Sequence, residues 1–500
     1  MRTAKYQIFS AEYINPEHFN FGVSEGEKDT QLVRCFVKTQ SINMFINNIQ
    51  NKNFVVAPKG VGKSGLCSII TSEDNDLLPD SQNYLYMNSI HCEEIVERCQ
   101  DYSCLKYDIL SYIFKMVVNH ILNKYYNGTQ SPISKLDEFF KDTLKLDSIS
   151  ASGSLEISKI KGEVGAVFKN SSPEISESFA QMFDYVESAL KYVNKRVIIC
   201  IDNLDDITKR VDIATKKIIL TAFYDVVQLI RKYSKSFDPR ILPILFIRDD
   251  LYQYIDRKGE SDKRSVISEL VWNKKEITVF IIKRFLANEH LGRIQKEIKF
   301  ELLKLGKIKK IFISAKDLTW IDNLSYADIT YLFNKFFYLK INDIEFEDWI
   351  FQTLCDADCR VNPRTIVDFF DILLKEQYKC LKESNINEMI YFEDKYNVIC
   401  IEAVVAAMQK LQKYKIQDYV DLIFIESKKQ IEIQQLVEHI VAILNNTSLI
   451  SKVKYGDFGF NVEEFHILID QLTYYKAIKS YVGKPPYQKY CLAPILRDFK

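Results

Sequence analysis

Long apolar runs, a surplus of charge of one sign, and glycine or proline in quantity are what this sequence lacks. No stretch approaches the ~20 apolar residues of a membrane span, and the most apolar run, "RILPILFI" (240–247), is the length of a strand. The first residues, "MRTAKYQIFSAEYINPEHF", carry no apolar core of a secretory leader, so a cytoplasmic location is expected. Lys and Arg total 67, as do Asp and Glu, which removes any whole-molecule attraction to nucleic acid or anionic membrane and leaves only local patches. With 15 Gly and 11 Pro, no repeats and no low-complexity tract, the chain is neither fibrous nor linker-like. The apolar 47% and charged 27% are those of a soluble globular protein. Eleven cysteines are scattered without the spacing of a disulfide framework and read as reduced thiols. Cys355 and Cys359 stand four apart, and His91 and Cys92 lie near Cys99 and Cys104, but neither cluster has the second close pair a zinc site needs.

At 500 residues the chain exceeds one ordinary core. Residues 1–50 read as a lead-in, 51–290 as an α/β domain, 291–385 as a helical domain and 386–500 as a terminal domain. Within the second segment, "NFVVA" (53–57), "NYLYMN" (83–88), "KRVIICI" (195–201) and "RILPILFI" are strand candidates. Helical periodicity follows Lys63 and fills 92–126, 174–193 and 211–234. Strands apolar on both faces, alternating with helices, predict a parallel sheet covered on both sides. Residues 127–175 differ, and "SISASGSLEISKIKGEVGAVF" reads as an insertion with a hairpin or irregular extension. The basic run 292–312 reads as the solvated side of an amphipathic helix, with a nucleic-acid track as the alternative. Trp272 reads as core. Near the end, "YYKAIKSYVGKPPYQKY" (474–490) predicts two short strands around a turn, a wing-like hairpin suited to a duplex or to a protein partner.

Three strand ends carry chemistry. "VVAPKGVGKS" (55–64) meets the requirements of a phosphate cradle. Gly60 and Gly62 free backbone N–H groups to turn inward, and a helix N-terminus behind them favours an anion. Lys63 stands where β- and γ-phosphates are reached, and Ser64 where a hydroxyl holds Mg²⁺. Against the pattern G-x-x-x-x-G-K-S/T, Ala57 replaces the first glycine. "VIICIDNLDD" (197–206) places Asp202 at the end of a buried run, followed by Asp205 and Asp206, as a metal-binding carboxylate or as a solvated strand end. "LPILFIRDD" (242–250) places Arg248 at another such end, where it would sense a γ-phosphate or pair with Asp249 or Asp250.

Taken in order, "APKGVGKS", "VIICIDNLDD" and "ILFIRDDLY" resemble the AAA-like and STAND-like branch of P-loop ATPases, in which an extra strand lies between the two motif-bearing strands. More narrowly, "FNFGVSEGEKD…FVKT" and "FIRDDLYQYI…ELVWNKKEI…IIKRF" are similar to bacterial P-loop ATPases associated with phage-defence loci. The resemblance spans 19–290 and continues weakly through "NPRTIVDFF" (362–370); the insertion and the last ~100 residues carry none of it. It implies a P-loop NTPase sheet with helices on both faces and a helical lid; the winged-helix-like C-terminal domain is read from the terminal helices and hairpin alone. Pro58, Lys59, Gly60, Val61, Gly62, Lys63, Ser64 and Gly65 would hold ATP, Ser64 and Asp202 would hold Mg²⁺, and Arg248 would be the sensor. Arg364 looks like the sensor of a lid; Arg284 would reach nucleotide from the lid or a neighbouring subunit, or form a helix-surface ion pair. Many relatives carry an acid directly after the metal-binding aspartate. Here Asn203 stands there, leaving Asp205 and Asp206 as water-orienting candidates and implying slow turnover.

The expectation is a slowly hydrolysing ATP switch, acting as a homo-oligomer or through a partner effector, with no membrane contact. A DNA-dependent helper ATPase that grips a duplex with its wing and a non-hydrolysing nucleotide-bound scaffold are the rivals. A small-molecule kinase shares the cradle but not the later motifs.

Overall fold

The computed structural model describes residues 14–23, 28–72, 82–87, 89–96, 102–126, 132–144, 173–208, 211–234, 239–255, 266–308, 318–337, 339–383, 399–425, 427–482 and 489–497. The chain divides into two compact units, one of Gln40–Lys59 and Lys63–Leu270, the other of Met1–Thr39, Gly60–Gly62 and Val271–Lys500.

The first of these is α/β. In chain order it runs α1 (Gln40–Asn47), β1 (Phe54–Ala57), α2 (Lys63–Thr71), β2 (Gln82–Met87), α3 (Ser89–Val96), α4 (Tyr102–Tyr125), α5 (Pro132–Leu144) and α6 (Pro173–Tyr192). It continues with β3 (Arg196–Ile201), α7 (Leu204–Thr208), α8 (Ile213–Tyr233), β4 (Ile241–Arg248), α9 (Asp249–Tyr252) and β5 (Ile267–Glu269). The five strands form one parallel sheet in the order β2-β3-β4-β1-β5, so β4 lies between β1 and β3. All four residues of β1 and all eight of β4 are buried, as strands covered on both faces must be.

Pro243 sits inside β4, a central strand, where a missing N–H is usually excluded. It is tolerated because β1 pairs with β4 only from Leu245 onward. On that side Asn53 stands in: its Nδ2 donates to Pro243 O at 3.0 Å and its own carbonyl accepts from Leu245 N at 2.8 Å. At the start of α8, Asp212 accepts from Thr215 N at 2.9 Å, an N-cap the helical periodicity alone does not reveal. Within the expected insertion, 132–144 is helical; the hairpin expected over 148–168 lies outside the described residues.

The second unit is mostly helical: α10 (Lys274–Leu286), α11 (Gly292–Lys304), α12 (Tyr326–Phe336), β6 (Lys340–Ile341), β7 (Ile344–Glu345), α13 (Phe346–Thr353) and α14 (Pro363–Glu383), then α15 (Ile401–Val420), α16 (Gln430–Asn446) and α17 (Val462–Tyr474). It closes with β8 (Ile478–Val482) paired antiparallel to β9 (Lys489–Leu492), the hairpin read from the sequence; its turn lies outside the described residues. Asn273 and Glu276 form a reciprocal capping box at the start of α10. The basic run is amphipathic over α11, burying Ile294, Gln295, Ile298 and Leu302; residues 309–312 lie outside the described residues.

The N-terminal segment is part of this unit's core. Phe21 lies edge-on to Phe285 of α10 at 5.1 Å and stacks on Phe370 of α14 at 4.9 Å. Arg284 is 3% exposed and pairs with buried Asp29, its Nη1 donating to Phe21 O at 3.3 Å. Gly22 is required here, because a Cβ would overlap the guanidinium. Of the two roles open to Arg284, the ion pair is the one observed, and it is buried rather than on the helix surface.

Candidate functional site

In a parallel sheet the C-terminal strand ends share one edge, where ligands of such folds bind. The register puts Ala57 beside Arg248 and Ile201 beside Leu245, so the ends of β1, β3 and β4 emerge together.

From β1 the chain turns through Pro58–Gly62 into α2. Gly60 has φ 85° and Gly62 φ 103°, values that residues with a Cβ rarely adopt. Lys63, the first residue of α2, is only 9% exposed, and its ammonium donates to Ala57 O and Pro58 O, both at 2.8 Å. Burial pushes its pKa down to about 8, opposed by the charges of Asp202 and Asp205. Pro58, Lys59, Gly60 and Ser64 are half-buried, Val61 and Gly65 buried, and Gly62 exposed.

Asp202 follows β3 and is 2% exposed. Burial raises its carboxyl to about 6, while the Ser64 hydroxyl, the Asn203 N–H and the Lys63 ammonium favour the ionised form. Its Oδ2 has no hydrogen-bond partner among the described residues. A buried carboxylate oxygen left unpaired is costly and suits a cation.

Asn203 adopts φ 63°, a left-handed conformation that Asn tolerates better than most residues with a side chain. Its Oδ1 accepts from Ser64 Oγ at 3.3 Å, and its Nδ2 donates to Tyr86 OH at 3.4 Å. Asn203 therefore links Ser64 to β2.

Arg248 is 5% exposed and grips Asp250 with two nitrogens: Nε to Oδ1 at 2.8 Å, and Nη2 to Oδ2. Its Nη1 lies 3.4 Å from Asp205 Oδ2. The pair with Asp250 is thus formed, and Asp205 joins it. Asp206 is exposed, whereas the charge of Asp205 acts on both Lys63 and Asp202.

No family model matches this chain, and no curated protein matches it in sequence.

Lys63, Ser64, Asp202, Asp205 and Arg248 come together at one sheet edge. Arg364 belongs to the unit containing Gly60–Gly62, where its backbone N–H donates to Gly60 O at 3.2 Å. Tyr86 and Asp250 complete the set. Asp250 is visible in the sequence as an acid two residues beyond Arg248, whereas Tyr86 reads only as a strand residue. Among the described residues no group of three or more His, Cys, Asp and Glu gathers into a metal site, and no helix is long and apolar enough to cross a membrane. A Mg²⁺ ion bound beside phosphates needs only one or two protein ligands, because phosphate and water oxygens complete its shell.

Proposed function

We propose that this chain is an ATP-binding, slowly hydrolysing P-loop ATPase that works as a molecular switch. The observation that carries the reading is electrostatic. Lys63 and Asp202 are both buried against the preference of their charged forms, at the edge where β1, β3 and β4 end. A triphosphate would give Lys63 a close anionic partner, and Mg²⁺ would be a cation suited to the orphan oxygen of Asp202. The strand order, with β4 between β1 and β3, agrees with the arrangement the sequence resemblance implies.

Ser64 and Asp202 would hold Mg²⁺, which when bound neutralises charge on the phosphate oxygens. Lys63 would turn from the carbonyls of Ala57 and Pro58 to the β- and γ-phosphates. Asp205, steadied by Arg248, would orient the attacking water, and the guanidinium would counter charge developing on the γ-phosphoryl. Asn203 carries no base, so turnover is slow, as suits a switch. The helices after Val271 would act as the lid, with Arg364 as its sensor. The α15–α17 helices followed by the β8–β9 hairpin would form a winged-helix-like module that passes the nucleotide state to another copy or to an effector protein, in anti-phage defence as the resemblance implies. A wing that grips DNA has less support: Lys476 and Lys479 both pair with Asp358, at 3.2 and 3.1 Å.

The two acids separate the roles. Asp205→Asn is expected to lower the phosphate-release rate with saturating Mg²⁺ and ATP by about 100-fold while leaving ATP affinity within threefold. Asp206→Asn is expected to leave both unchanged. A hydrolysis loss confined to the Asp206 variant would reverse the assignment, and no phosphate release by the wild type would reduce the chain to a nucleotide-bound scaffold.

A further inference from the structure

We infer that Trp272, with the backbone of Arg364, is a positioning residue that aims the phosphate-binding amides of the loop. This deepens the proposed nucleotide reading and rests on it. Trp272, Asn362–Arg364 and Gly60–Gly62 belong to one compact unit. The Trp272 indole Nε1 donates to Val61 O at 2.8 Å, and Arg364 N donates to Gly60 O at 3.2 Å. Two consecutive peptide planes of the loop are therefore gripped by their carbonyls.

A trans peptide carries its C=O and N–H on opposite sides. Holding Gly60 O toward Arg364 turns the Val61 N–H away from it, and holding Val61 O toward Trp272 turns the Gly62 N–H away from the indole. Neither N–H has a hydrogen-bond partner among the described residues. Two adjacent amides left free, with their carbonyls tied back, are what an anion requires; a flip of either peptide would put a carbonyl oxygen where the amide now points.

Both donors are themselves held. The Trp272 ring meets Phe280 edge-on at 5.6 Å, with 70° between planes, and Phe280 is buried in α10. Arg364 is the second residue of α14, and its N–H is one of those a helix start leaves without an internal partner. The cap that fixes this helix start is Asn362, whose Oδ1 accepts from Thr365 N at 2.9 Å. The fit around Gly60 is close: a Cβ there would lie 2.9 Å from Arg364 Cβ and 3.0 Å from Asn362 Oδ1. Trp272 thus acts through a hydrogen bond in addition to its place beside the core.

The test uses the full chain with Mg²⁺ and ATP. Trp272→Phe keeps an aromatic ring and removes the donor; it is expected to raise KM about three- to tenfold with kcat within twofold, the pattern of lost binding common to ground and transition states. A merely structural role predicts no such split. In wild-type protein labelled with ¹⁵N-tryptophan, one indole N–H resonance is expected to move on saturation with ATP and to stay in place in Lys63→Ala. This measurement needs no Trp272 variant to fold. An unchanged KM in a folded Trp272→Phe protein, or three indole resonances that ignore ATP bound by the wild type, overturns the inference alone. A wild type that binds no ATP, or a Lys63→Ala variant that binds it equally well, overturns the nucleotide reading and this inference with it.

Discussion

Arg248→Ala is expected to destabilise the protein by about 3–5 kcal/mol, read as a lowered midpoint in urea unfolding. Removing the guanidinium leaves Asp250, 5% exposed, as a carboxylate with its bidentate partner gone. The cost is that of stranding a buried charge, not the net worth of the pair. The double variant Arg248→Ala with Asp250→Ala should therefore recover a substantial part of the loss, since removing both partners leaves no bare charge. Arg248→Lys keeps the charge but not the planar fork, and should fall between. The same series bears on catalysis. With Nη1 at 3.4 Å from Asp205, the lysine variant should lose hydrolysis more than tenfold at temperatures where it remains folded. If hydrolysis by folded Arg248→Lys matched the wild type, Arg248 would be a structural residue and the sensor role would be lost.

Asp202→Asn should move stability and activity in opposite directions. The wild-type carboxyl, raised to about 6 by burial, is ionised at neutral pH in a place that disfavours the charge. At about 1.4 kcal/mol per pH unit between folded and free values, the neutral isostere gains at most about 3 kcal/mol in ligand-free protein. The sign follows from the raised value. Below about 6 the folded wild type begins to take up the proton that Asn mimics, and below about 4 both folded and unfolded chains hold it. The variant's advantage is therefore full above pH 6 and fades toward pH 4. The same substitution removes the anionic ligand proposed for Mg²⁺, so metal-dependent hydrolysis should fall at least 100-fold and the stabilisation of the ATP-bound protein by Mg²⁺ should vanish. A site built for ligand at the expense of the empty fold shows this trade-off. A ligand-free variant less stable than wild type at pH 7 would mean that the carboxylate serves the fold.

Much of the site edge was legible because buried parallel strands are apolar throughout and stop abruptly at polar turns. "NFVVA", "KRVIICI" and "RILPILFI" mark β1, β3 and β4 in this way, and the residues just beyond each run are those that meet. The position of β4 between β1 and β3 came from resemblance, since periodicity says nothing about which strands are neighbours. What a side chain grips was less visible. Arg248 had Asp249 one residue away and Asp250 two, and the turn into α9 brings the farther acid, Asp250, to both nitrogens. Arg284 read either as reaching nucleotide or as a helix-surface ion pair, yet every residue of α10 from Ile277 to Leu286 is buried and the N-terminal segment supplies Asp29 from far away in the chain. Trp272 read as core because its ring is apolar; its N–H, which reaches Val61 O, leaves no mark in hydropathy. Asn203 fits its place: φ 63° is a conformation Asn tolerates, and its amide spans Ser64 and Tyr86.

Lys63 is central to the proposed function: among the described residues its buried ammonium donates to two carbonyls of its own loop, and desolvation holds its pKa down to about 8. Equilibrium titration of the full chain with ATP in the presence of Mg²⁺, wild type beside Lys63→Ala, tests that role directly. The expected result is saturable binding by the wild type and affinity weakened at least 100-fold in a variant that remains folded. Equal affinity in the two proteins, or no binding by either, would contradict it.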